Sequence, residues 1–187
     1  MTIGKWFVCL MMQSIVTGSL WCQPENVVYT RDFAKKLERA QADFIRPVEG
    51  FYKIKMLGQD EHMKYDLVLR SEDKNFEMRF VLDPDYALAL PQMQCFNLLN
   101  SIATNDEHFD IKLLLYPEEQ AKSDYNAEWA AYADFIPKKS YTDFHYGRLV
   151  TIYREGGGLI HQVLLFNEHD REKNLRMHSL SFLKQPF

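Results

Sequence analysis

The chain carries six histidines, His62, His108, His145, His161, His169 and His178, and imidazole is the side chain that most readily serves as acid, base or metal ligand near neutral pH. None of them stands in the His-Glu-x-x-His spacing that sets two ligands on one helix face. His108-Phe109-Asp110 puts an imidazole and a carboxylate on the same side of a strand. His161 sits in a partly apolar run with Ile160, Val163 and Leu164. A hydrolytic site would need His145, His161 and Asp110 to be assembled by the fold, because no local spacing joins them. Solvated or singly hydrogen-bonded histidines are the simpler reading.

Two further motifs have plain structural accounts. Ser71-Glu72-Asp73-Lys74 has the Ser-x-x-Lys spacing of some acyl-transfer enzymes, which need a helical turn to bring lysine onto serine. Here the four residues fall between two strand patterns and read as a turn. Gly156-Gly157-Gly158 could cradle an anion if it opened a helix, but strand residues follow it. No metal-ligand spacing and no cofactor fingerprint is present, so neither a metal nor a cofactor is expected.

Cysteine chemistry is sparse. Of Cys9, Cys22 and Cys95, the first two lie in or at the edge of an N-terminal leader. Cys95 lies among Met93, Phe96, Leu98 and Leu99 and reads as a small buried hydrophobe. Nothing beside it supplies the base or positive charge that a nucleophilic thiol needs.

The densest polar and aromatic patch runs from Tyr125 to Tyr146. Within it, Trp129, Tyr132, Lys138, Lys139 and Tyr141 are the candidate contact residues for a ligand or partner. Rigid aromatics with interleaved polar groups give large contact area at low entropic cost. The competing account puts Trp129, Tyr132 and Phe135 in the core and leaves only the two lysines in water.

The elements that would position these groups follow from periodicity. Thr30 is a candidate N-cap, and Phe33, Leu37, Ala40 and Phe44 form one helical stripe, predicting a helix over Arg31–Ile45 that Pro47 ends. Tyr52, Ile54 and Met56, then Tyr65, Leu67 and Leu69, then Phe76, Met78, Phe80 and Leu82 alternate with polar residues. The three runs predict an antiparallel meander with one buried face. Pro91 suits the first turn of a second helix, with Cys95, Leu98, Leu99 and Ile102 on its apolar side. Phe109, Ile111, Leu113 and Leu115 read as a strand, and Pro117-Glu118-Glu119 as a helix start. Asn126–Pro137 is ambiguous: Trp129, Ala131, Ala133 and Phe135 fit a strand while the alanines fit a helix, and the reading leans to strand because Ile136-Pro137 stops it. Leu149–Arg154 and Leu159–Phe166 read as a hairpin across the glycines, and Leu175–Leu183 as a last strand.

The fold class is therefore α+β: a mainly antiparallel sheet of six to eight strands with two or three packed helices. The helical patterns argue against a membrane β-barrel.

Met1–Cys22 has the order of an export signal: Lys5, the apolar run Trp6–Met12 extended by Ile15-Val16, then small residues Thr17-Gly18-Ser19. A buried N-terminal helix or strand is the alternative. Cleavage after Ser19 or after Cys22 both fit. Lipidation of Cys22 is a further possibility, although Trp21 stands where a small residue is usual. The remainder, 23–187, is the length of one domain, and no apolar stretch in it reaches the ~20 residues of a spanning helix. Net charge is −4 for the whole chain, and no basic run marks nucleic acid or an anionic membrane as a partner.

The functional expectation is a non-catalytic binding or interaction domain of the cell envelope or exterior, its partner an envelope protein or small ligand. The alternative is a small secreted hydrolase with a His/Asp site. An inhibitor or toxin-like factor acting on another cell has the same sequence signature as the first.

Overall fold

The computed structural model describes residues 30–45, 50–53, 63–87, 90–104, 111–168 and 178–184. The predicted export segment with Cys22, and His62, His108, Asp110 and His169, lie outside them.

The centre of the molecule is a seven-stranded antiparallel sheet. Its strands in chain order are β2 (Phe51–Lys53), β3 (Leu67–Ser71), β4 (Phe76–Asp83), β5 (Leu114–Leu115), β6 (Trp129–Phe135), β7 (Tyr146–Arg154) and β8 (Gly158–Phe166). Across the sheet they run β2-β3-β4-β8-β7-β6-β5, so β2 and β5 are the edges. Two short strands, β1 (Ala42–Phe44) and β9 (Leu180–Phe182), pair separately. Three helices complete an α+β arrangement: α1 (Arg31–Arg39), α2 (Pro91–Ile102) and α3 (Glu118–Tyr125).

Local chemistry explains the well-read elements. Thr30 Oγ1 accepts the backbone N–H of Phe33 at 3.2 Å and caps α1. Ser71 Oγ clips the β3–β4 hairpin at both Phe76 N and Phe76 O, which gives the serine of the Ser-x-x-Lys run a structural role. The glycine run turns β7 into β8. Gly158 sits at φ +83°, and a Cβ there would lie 2.2 Å from Asp83 O, so only glycine fits.

Three expectations are corrected. The first helix stops at Arg39, not Ile45. Gln41 takes φ +49°, and residues 42–44 become a strand because they pair with 180–182. The predicted fourth strand shrinks to Leu114–Leu115, with 111–113 outside any strand. In the last segment, strand pairing within the described residues is confined to Leu180–Phe182.

The fourth correction concerns the sheet faces. The meander was expected to bury one face, with Glu77 and Arg79 in water. Both faces are covered. On one, Phe33 and Leu37 of α1, Phe44, Phe182 and Tyr125 of α3 pack on Met78, Phe80, Val150 and Leu164. On the other, Cys95, Leu98, Leu99 and Ile102 of α2, with Tyr141 and Phe144, pack on Ala133, Leu149, Val163 and Leu165. Glu77 is 0% and Arg79 3% exposed on this second face.

Among the described residues no helix is long and apolar enough to cross a membrane.

Candidate functional site

Strand alternation places Trp129 and Tyr132 on opposite faces of β6, because successive side chains point to opposite sides. Trp129 is half-buried beside the α2 cluster. Tyr141 is buried on the same face, its hydroxyl 2.7 Å from that of Tyr65 and its ring 4.5 Å from the Arg79 guanidinium. Lys138 Nζ donates to the carbonyls of Asn100 and Ser101 at 2.6 and 3.2 Å. It thus satisfies orphan acceptors at the C-terminal end of α2. Lys139 is exposed. The aromatic–lysine patch is therefore split: Trp129, Lys138 and Tyr141 lie on the α2 side, and Tyr132 lies on the other.

The candidate histidines are not brought together. His145 is exposed just before β7. His161 is buried in β8 opposite Thr151, whose Oγ1 lies 2.8 Å from His161 Nδ1. Six residues of β7 separate His145 from that point, about 20 Å of strand. Thr151 Oγ1 also contacts Cys95 Sγ at 3.5 Å. This thiol–hydroxyl–imidazole chain is tuned away from nucleophilic chemistry. Burial pushes the Cys95 thiol up to about 11 and the His161 imidazole down to about 4, so both stay neutral near pH 7.

Tyr132 opens onto a cleft of about 450 Å³ at the β5 end of the sheet, within the size range of small-molecule sites. Four elements build it. β5 and the residues after it supply Leu114, Leu115, Tyr116 and Pro117; α3 supplies Gln120; β6 and β7 supply Tyr132 and Arg148; His178 precedes β9.

The register explains the core of the cleft. Leu114 pairs with Tyr132, which pairs with Val150, and Arg148 lies two residues back on the same face. Arg148 donates from Nε and Nη2 to the two carboxylate oxygens of Asp134 at 2.6 and 2.7 Å, the fork geometry that fixes a guanidinium plane. Its charge lies 4.7 Å from the Tyr132 ring centroid. Tyr132 and Tyr116 are 5.3 Å apart, Tyr116 and Tyr125 5.4 Å, and Tyr125 stacks on His178 at 5.0 Å. Tyr125 OH donates to Tyr116 OH at 3.2 Å. Burial raises the Tyr116 phenol above its ordinary range, so it stays protonated.

A chain of ring contacts thus runs from a fixed cation to an imidazole, through Tyr125, which is fully buried and does not line the cleft. His178 Nδ1 is buried with no hydrogen-bond partner among the described residues. That nitrogen is shielded from the cleft, which meets His178 through other atoms of the residue.

Sequence reading found Tyr132 and missed the rest. Arg148, the Tyr116–Gln120 segment and His178 come from three separate stretches of the chain, and His178 was read only as one of six scattered histidines. Among the described residues no group of three His, Cys, Asp or Glu is placed to hold a metal. No known protein family, no curated protein and no solved structure matches the chain.

Proposed function

We propose that this is an exported, non-catalytic binding domain whose ligand seats in the cleft between β5, α3, β6 and His178. The observation that carries the reading is the cleft itself, walled by Tyr116 and Tyr132 beside the Arg148 guanidinium, with the His178 ring also lining it. The lining offers ring faces, leucines and a proline for a flat apolar body. Gln120 and His178 line it as well, and a few polar groups among apolar walls are the usual division of labour in small-molecule sites. A monocyclic aromatic acid or amide, free or as the side chain of a partner, has the matching chemistry. The leader pattern of Met1–Cys22 supports placement outside the cytoplasm.

Saturation-transfer NMR with benzoate, phenylacetate and their amides tests the site. Signals should be present with the parent chain and lost in Tyr132→Ala and His178→Ala. Equal signals in parent and both variants would place binding elsewhere. The location is checked by cell fractionation with intact mass: a mass retaining Met1 in the envelope fraction contradicts processing of the leader.

A further inference from the structure

A second cavity, of about 160 Å³, opens at the hairpin end of the sheet. Arg70 of β3, Lys74 of the β3–β4 turn, Thr142, Asp143 and Phe144 before β7, and Asn167 after β8 line it. Arg70 is fixed before any ligand arrives. Its Nε donates to Glu77 Oε2 at 2.6 Å, its Nη2 pairs with the same oxygen, and Glu77 is fully buried. The guanidinium also lies 5.7 Å from the buried Phe144 ring. Nη1 has no hydrogen bond among the described residues. Lys74 N–H donates to Ser71 O at 3.0 Å, and Lys74 takes φ +62°. That is the left-handed region, where glycine sits freely and a lysine carries a conformational cost. Lys74 and Asp143 are both exposed. Among the described residues the Asp143 carboxylate pairs with neither Lys74 nor Arg70.

We propose that this cavity binds a free α-amino acid with a small side chain, its carboxylate on Arg70 and Lys74 and its ammonium on Asp143. The site lies on the α2 side of the sheet and does not depend on the cleft at β5. The three charges select the ligand. A simple oxyanion would meet both cations but be repelled by Asp143, and a simple amine would meet the reverse. A zwitterion, with its two charges a few bonds apart, matches all three. A guanidinium already held by Glu77 and Phe144 loses little freedom when a carboxylate arrives. The Thr142 hydroxyl and the Asn167 amide add neutral hydrogen-bonding groups to the lining. The small volume leaves room for glycine or alanine and not for a ring. A lysine kept at a backbone position that suits glycine is accounted for by the ligand its ammonium holds.

Amide nitrogen–proton NMR of the full chain tests this by titration with glycine, alanine, acetate and methylammonium at constant ionic strength. Glycine and alanine should give saturable shifts at the amides of Arg70, Lys74, Asp143 and Asn167. Acetate and methylammonium should each bind roughly tenfold more weakly, because each forgoes one charge-assisted contact. Lys74→Gly removes the ammonium and the left-handed cost together. That variant should resist denaturant at least as well as the parent while its glycine affinity falls by roughly tenfold. Asp143→Asn should bring glycine down to the affinity of acetate. No saturable glycine shift in the tens-of-millimolar range overturns the proposal, as does a glycine affinity unmoved by Lys74→Gly. Acetate binding the parent as tightly as glycine would show a plain oxyanion site and overturns it too.

Discussion

The two faces of the sheet are both covered and differently built. The α1 face is sealed by rings: Phe33, Phe44 and Phe80 lie with centroids 5.2 to 6.3 Å apart. It also buries Arg148 and Arg154, whereas the α2 face buries a carboxylate together with its arginines. Glu77 accepts from Arg79 Nε at 2.6 Å and from Arg70 Nε at 2.6 Å, and also pairs with Arg70 Nη2. Arg79 is covered by the rings of Tyr141 and Tyr65, and Arg70 lies 5.7 Å from the ring of Phe144. Further along the same face run His161, Thr151 and Cys95. Apolar packing is tolerant of shape, whereas a buried ion network is stable only with every partner present. The second face should therefore fail all at once where the first degrades by increments.

The largest effect expected is from Glu77→Ala. It leaves two arginines facing an emptied site, one of them buried, and should cost about 3–5 kcal/mol in denaturant unfolding. Phe80→Leu on the other face should cost about 1–3 kcal/mol, because it trims volume without stranding a charge. If Glu77→Ala costs no more than Phe80→Leu, the contrast between the faces is wrong.

This contrast shows where sequence reading works and where it stops. The cap at Thr30, the proline at the start of α2 and the β7–β8 hairpin were legible because their causes lie within a few residues. The α1 stripe was over-read for a physical reason. Phe44 falls at a helical spacing from Ala40 and equally at a strand spacing from Ala42, and pairing with residues 180–182 decides between them. The exposure of Glu77 and Arg79 was misjudged because alternation reports two faces, not whether both are covered. Their cover comes from Tyr65, Tyr141 and Phe144, which alternation in β4 cannot reveal. The cleft follows the same logic. Tyr132 stood out by composition, whereas Arg148 and His178 join it only through strand order and the placement of β9.

The next largest effect is on pH dependence, and it also separates the faces. The buried His161 has its imidazole held down to about 4 against an ordinary 6.5. The unfolded chain then binds the proton more tightly than the folded one. Stability from this group is complete above pH 6.5, declines as pH falls below it and levels off below about 4. The difference is about 3 kcal/mol. His161→Gln keeps a hydrogen-bonding group beside Thr151 and does not titrate. Unfolding free energies of parent and variant should thus converge from pH 7 to pH 4 by about that amount. Parallel curves would show that the imidazole is not buried neutral.

The smallest effects come from the same hydroxyl in two settings. Thr151 Oγ1 lies inside the α2 face between His161 and Cys95. Thr30 Oγ1 caps α1 at the exposed end of the helix over the other face. Thr151→Val keeps the shape but withdraws the partner of His161 Nδ1, so a buried ring nitrogen loses its hydrogen bond. That should cost about 1–3 kcal/mol. Thr30→Ala frees one backbone N–H that water can reach, and should cost about 1 kcal/mol. Adding His161→Leu to Thr151→Val removes the orphaned nitrogen. The double variant should then lose less than the sum of the two single losses, because stranded and absent polar groups differ. No such coupling should join Thr30→Ala to His161→Leu. Additivity at Thr151, measured by the same denaturant titrations, would show that its hydroxyl is a filler of space and not a link in the polar layer.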